Sequence, residues 1–286
     1  MRKFLTLITV IALIGCTSAT NKEQKPTIYV TITPLKTLAE ELTCGDYNVE
    51  VLVPKGASPE TFEPSAKELT KLHDSEFLFT VGLIDFEKAL LTSDCNAIDL
   101  SRGITTLAGS CSHNHDHKYA HHSHGVDPHI WTAPRALKQM VNNMRNAVME
   151  AHPDSTKYSQ AADEITKRLR FLDRYCNERI HSADSRVMMI YHPAYTYYAN
   201  DYNIKQIAIE TDGKEPSPKQ LIALVNTAKR FGVNHCPINP SVLRSGKNNC
   251  CSESKRYFFT FSFSFFIFSR NFSASEKQFA ASNNFK

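Results

Sequence analysis

The chain has 286 residues, 42% of them hydrophobic and 22% charged, and a formal net charge of +4. That length carries a sizeable core and exceeds a typical single domain, so one large domain or two lobes are expected. The positive sign does not mark a nucleic-acid binder: setting aside the seven basic and two acidic residues beyond position 233, together with Arg2 and Lys3, leaves 24 bases against 27 acids, with no basic stripe interleaved with aromatics.

Arg2 and Lys3 precede an apolar run from Phe4 to Ile14, too short to span a bilayer and flanked as a signal peptide is. Leu13-Ile14-Gly15-Cys16 resembles a lipobox, in which a small residue gives the peptidase access to the bond before a cysteine that becomes acylated. Residues 1–15 are therefore expected to be removed, Cys16 to carry lipid, and 16–26 to act as a polar tether. A secretory signal with an incidental cysteine is the alternative. Seven further cysteines follow, of which Cys44, Cys95, Cys111 and Cys176 lie in the body. Disulfides are open to an exported chain, but spacing does not give their pairing, and no CxxC pair occurs.

Thr27–Thr33 is β-branched and aromatic and predicts a strand; Pro34 with Leu35, Leu38 and Leu42 predicts the helix after it. Strand signals recur at Tyr47–Val53, Glu76–Val81 and Ala97–Leu100, with a helix over Pro64–Leu72. This alternation predicts an α/β lobe with a mainly parallel sheet over residues 27–110. Residues 111–126 form a His-rich loop with His113, His115, His117, His121, His122 and His124, a composition that does not hold a fixed fold alone. Over 127–183, Leu137, Val141, Met144 and Val148 mark one helix, with Thr132 as N-cap and Pro134 in its first turn. A second helix, capped by Asp154 or Ser155, keeps Tyr158, Ala162, Ile165, Leu169, Leu172 and Cys176 on one face to about His181. At ~1.5 Å per residue it reaches roughly 40 Å, enough to bridge the molecule.

A second α/β lobe is expected over 184–233: strand Arg186–Tyr191, short helix Ala194–Asn200, strand Ile204–Glu210, helix Ser217–Phe231, and a further strand from Val233. There the text changes. Residues 234–286 lack a clear period, and Tyr257–Phe272 alternates Phe with Ser, fitting neither a membrane anchor nor a convincing strand. We read this tail as out-of-frame translation replacing the last elements of the lobe.

Imidazole suits zinc, and carboxylate can complete a zinc shell, so His and acidic residues at strand ends facing a cleft are the positions of interest. Three stretches qualify: VLVPKGASPETFEP with Glu60, DPHIW with His129, and YHPAY with His192. Singly, His192 beside Pro193 reads as a turn or packing residue, Glu60 as a solvated or helix-capping group, and Trp131 as packing beside the cleft. Together, in this order and with the later ETDGKEPSP stretch (Glu210–Pro218), they resemble the zinc and manganese substrate-binding proteins of ABC importers over roughly residues 27–233.

The resemblance implies two α/β lobes joined by a long spine helix, with the metal between them. It also implies a monomeric, non-enzymatic lipoprotein that hands metal to a membrane permease, with no nucleic-acid partner. Family members usually supply a His in the first stretch, a His each from DPH and HPA, and an acidic residue from the last part of the second lobe. Carried over, this gives His129 and His192, with Glu60 standing where a His is common. The fourth position falls in the tail, leaving water or nothing there, and Glu215 is read as a structural residue or one that supports a ligand from behind, not as a ligand. The His-rich loop resembles those of zinc-type members, where it gathers or buffers zinc, so Zn2+ is favoured over Mn2+ as the carried ion. Other readings are a zinc-buffering or adhesin-like surface lipoprotein, a truncated non-functional member, and a zinc hydrolase. The last lacks an HExxH or comparable general-base motif.

Overall fold

The computed structural model describes residues 25–109, 125–183, 185–210 and 215–233. The signal peptide with Cys16, the insert histidines from His113 to His124, Cys111 and the tail from Asn234 lie outside the described residues.

Strands β1 (Thr27–Val30), β2 (Asn48–Val51), β3 (Phe77–Thr80) and β4 (Ala97–Asp99) form a parallel sheet in the order β2-β1-β3-β4, with Tyr29 opposite Glu50 on one side and Leu78 on the other. A parallel sheet is stable only when both faces are covered, and the wholly buried FLFT of β3 meets that demand. Phe77 and Phe79 stack at 5.7 Å on the face packed by helix α1 (Thr33–Leu42). Leu78 points the other way, into a smaller cluster with Leu52, Leu72 and Leu90 under α2 (Ala66–His73) and α3 (Asp85–Leu91).

Helix α1 follows the predicted spacing, burying Leu35, Leu38, Ala39 and Leu42 with Pro34 in its first turn. Helix α2 starts later than the hydrophobic pattern suggests. The Ser65 hydroxyl accepts the Glu68 N–H and the Glu68 carboxylate accepts the Ser65 N–H, a capping box that fixes the start at Ala66. Helix α3 is missed by the pattern, because seven residues with only Glu87 and Leu90 buried give no readable period. Its start is set by Glu87, whose buried carboxylate accepts the N–H groups of Val81, Gly82 and Ile84. Burial pushes that carboxyl above its ordinary range, while these hydrogen bonds oppose the shift.

Helices α4 (Pro134–Ala151) and α5 (Thr156–His181) pack on each other as the most extensive helix pair among the described residues, through Met140, Val141, Met144, Ile165, Leu169 and Leu172. The expected cap at Thr132 is corrected: Ala133 occupies the N-cap, and the Thr132 hydroxyl is engaged with the carbonyls of His129 and Ala194. Ser155 occupies the N-cap of α5 without a side-chain capping bond. The 26 residues of α5 span about 39 Å and meet both ends of the fold. Near its start Tyr158 donates to Asp46, at mid-length Arg168 pairs with Glu41 of α1, and further along Asp173 accepts from Tyr202.

The second lobe holds β5 (Val187–Ile190), α6 (Thr196–Asp201), β6 (Lys205–Ala208) and α7 (Pro218–Arg230). Its two strands pair in parallel, Ile190 opposite Ala208, with α6 as the crossover. Helix α7 is capped by Ser217 with Gln220 but buries none of its side chains, leaving Leu221, Ile222 and Val225 exposed. Cys44, Cys95 and Cys176 are free thiols, and no helix among the described residues is long and apolar enough to cross a membrane.

Candidate metal centre

The three predicted positions converge from separate elements. Glu60 lies in a short turn of 3-10 helix (Pro59–Thr61) beyond the C-terminal end of β2. His192 follows β5 by two residues, and His129 opens the 3-10 turn Ile130–Thr132 that leads into α4. Ligands gathered outside the carboxyl ends of parallel strands occupy the crevice that open α/β sheets reserve for binding.

The atoms able to bind a metal face one another. His129 Nε2 lies 3.2 Å from His192 Nε2, and Glu60 Oε1 lies 3.8 Å and 3.6 Å from those two atoms. A tetrahedral zinc ion with Zn–N near 2.0–2.1 Å separates its ligand atoms by about 3.3 Å, so the triangle needs only small side-chain adjustments to hold one. Glu60, His129 and His192 are the group of three metal-ligating side chains found among the described residues.

Both imidazoles are oriented by carboxylates on their other nitrogen. His129 Nδ1 donates to Asp127 Oδ1 at 2.8 Å, and the same oxygen accepts the His129 backbone N–H, also at 2.8 Å. Burial alone would raise the Asp127 carboxyl, but hydrogen bonds from His129 and Thr196 outweigh it and hold the group below the usual carboxylate range. His192 Nδ1 donates to Glu210 Oε1 at 2.6 Å. In the neutral imidazole each arrangement places the proton on Nδ1 and leaves Nε2, turned into the cleft, as the atom that can take a metal, which is how protein metal sites prepare imidazole ligands.

Local chain geometry explains these pairs. The strand leaving the insert is held by an antiparallel bridge between Ala108 and Val126, with Asp127 N–H donating to Leu107 C=O at 2.9 Å. That stem delivers Asp127-Pro128-His129 into the cleft, and the buried Ile130 anchors it. Glu210 reaches His192 because the ladder continues past β5 and β6, with Glu210 N–H donating to Tyr191 C=O at 3.1 Å. Neither carboxylate stands out as a functional group in the sequence. Asp127 was visible as an acid two residues before a histidine, whereas Glu210 required the register of β5 against β6. Trp131 packs partly buried with its ring 5.0 Å from His129, and Glu215 is exposed before α7.

Fold and site together define a two-lobed α/β protein with imidazole and carboxylate groups converging in an interlobe cleft. The chain belongs to the ZnuA family, described as zinc-uptake complex component A, periplasmic, whose sequence model matches residues 28–246 and so runs past position 233. The zinc-binding protein AdcA of Streptococcus pyogenes serotype M3 is 26% identical over 260 residues, covering 82% of this chain and 50% of the relative. The high-affinity zinc uptake system protein ZnuA of Bacillus subtilis is 26% identical over 228 residues, covering 76% of this chain and 71% of that protein. A ZnuA crystal structure superposes with a TM-score of 0.62 at 30% identity, covering 72% of this chain and 80% of the other. The chain thus spans about half the length of the streptococcal relatives it matches.

Proposed function

We propose that this chain is an extracytoplasmic zinc-binding protein that captures Zn2+ at Glu60, His129 and His192 and delivers it to the permease of an ABC-type metal importer. The observation that carries the reading is the convergence of two carboxylate-oriented Nε2 atoms and one carboxylate oxygen at tetrahedral spacing. Two imidazoles favour zinc over manganese. The zinc named in the descriptions of the family and of its relatives points the same way. The ion is cargo, so no bond is made or broken.

In this reading Cys16 carries the lipid that holds a monomer at the bacterial membrane, and His113, His115, His117, His121, His122 and His124 gather zinc for the site. Residues 27–110 and 184–233 form the lobes, with 127–183 between them. Competition titration of zinc against a chromophoric chelator tests the assignment: His129→Ala and His192→Ala should each weaken binding at least about ten-fold. Unchanged affinity in both would remove the site from consideration.

One observation favours the truncated-member reading as a modifier of this function. Helix α7 leaves Leu221, Ile222 and Val225 exposed, as expected if residues beyond the family match, which ends at 246, stand in place of elements that would cover it. A version carrying an alternative-frame C-terminus should bind zinc more tightly than this chain, and equal affinity would refute the replacement.

A further inference from the structure

The turns that carry His129 and His192 are bonded directly to each other. Tyr197, on α6 just after the His192 turn, is buried, and its hydroxyl donates to Asp127 C=O at 2.7 Å while accepting the Leu107 N–H at 3.2 Å. It therefore grips both strands of the stem below the insert, on the residue whose carboxylate orients His129. The neighbouring Thr196 hydroxyl bonds the Asp127 carboxylate itself. From the opposite side, the Thr132 hydroxyl reaches Ala194 C=O at 2.9 Å and His129 C=O at 2.8 Å. Residues 194–197 and 127–132 are thereby stitched at three places around the two imidazoles.

We propose that Tyr197 is a positioning residue for the metal: through this clasp it makes the His129 and His192 turns one rigid unit, so that two ligands stand ready before the ion arrives. The proposal rests on the assignment of His129 and His192 as zinc ligands. The physical argument is that Asp127 can hold the His129 ring only as well as its own backbone is held. Tyr197 is the side chain that satisfies the Asp127 carbonyl and ties it to the second lobe. Removing the hydroxyl also leaves the buried Asp127 C=O and the part-buried Leu107 N–H without this partner, which costs stability unless the stem shifts to find others.

Tyr197→Phe tests this in the full chain, with Tyr198→Phe, also buried but directed into the core by Cys176, as the control for a merely structural loss. Co2+ is loaded as a spectroscopic probe and zinc loss is driven by excess chelator. Tyr197→Phe should broaden the Co2+ d–d spectrum and speed metal loss by about ten-fold, equivalent to ~1.4 kcal/mol, whereas Tyr198→Phe should lower the melting temperature without either change. If both variants melt lower and neither alters spectrum or release, Tyr197 is structural and the proposal fails. Should Tyr197→Phe not fold, Thr132→Val against Thr132→Ser reads the same clasp, with the hydroxyl-retaining variant expected to restore slow release. His192→Ala separates the two claims: a Co2+ spectrum indifferent to that change would overturn the site assignment itself, whatever Tyr197 does.

Discussion

Replacing Asp127 by Asn tests whether the carboxylate behind His129 tunes metal binding or merely packs. Asp127 is 4% exposed, and its Oδ1 accepts two hydrogen bonds from His129, each at 2.8 Å. The amide has nearly the same shape, so packing is preserved, but the negative charge that supports the imidazole is lost. A hydrogen bond to a charged group contributes about 1.5–3 kcal/mol, so zinc binding should weaken roughly ten- to hundred-fold. Chelator competition at constant pH gives the affinity, and thermal unfolding of the metal-free protein shows whether the fold is intact. A folded Asp127→Asn protein within about two-fold of the parent would refute the view that this carboxylate tunes the ligand.

Other outcomes follow from the same geometry. Glu60→His places a third imidazole in the triangle and should raise the preference for Zn2+ over Mn2+, measured as the ratio of the two dissociation constants. Gly82→Ala should destabilise the fold by more than the ~1–3 kcal/mol of a forced left-handed residue, because Gly82 has φ +89° and a Cβ there would sit 1.8 Å from Asp99 Oδ1; denaturant unfolding reads this. Burial pushes the Cys176 thiol up to about 11, so at pH 8 it stays protonated, and thiol labelling of the native protein should reach exposed Cys44 well before Cys176, as peptide mass spectrometry would show. Amide hydrogen exchange should be slower in β1 and β3 than in β5 and β6, since the first pair lies inside a sheet covered on both faces and the second pair has no further strand beside it among the described residues; equal protection would show the second lobe to be as well supported as the first.

The strongest periodic features were legible in the chain. The apolar spacing of α1, α4 and α5 and the strand–helix alternation follow from local patterns, and the three residues proposed as ligands stand out as His or Glu beside Pro at strand ends. What escaped is instructive. Helix α3 buries too little to show a period, and its start depends on Glu87 folding back on three backbone N–H groups. The Thr132 hydroxyl looked like a helix cap because a cap is local, yet it serves a contact with Ala194, 62 residues away. Tyr197 reads as one aromatic among several, since the partners that make it special, Leu107 and Asp127, lie in another part of the chain.

The two histidines are supported to different degrees, and the difference bears on how the site tolerates change. His129 is oriented by a residue two positions away, on a stem bonded to Tyr197, and its turn is anchored by Ile130 in the main core. His192 is oriented by Glu210, whose position depends on β6 pairing with β5, a sheet of two strands among the described residues, beside a helix that buries none of its side chains. A short parallel pair is weak by itself, so the Glu210–His192 bond is only as firm as the lobe that carries it. The clasp at Tyr197 and Thr132 works against this weakness, because it fastens the segment following His192 to the better-supported stem. Loss of support in the second lobe should then cost Glu210 its register before it displaces His192, leaving the imidazole in place but less firmly oriented.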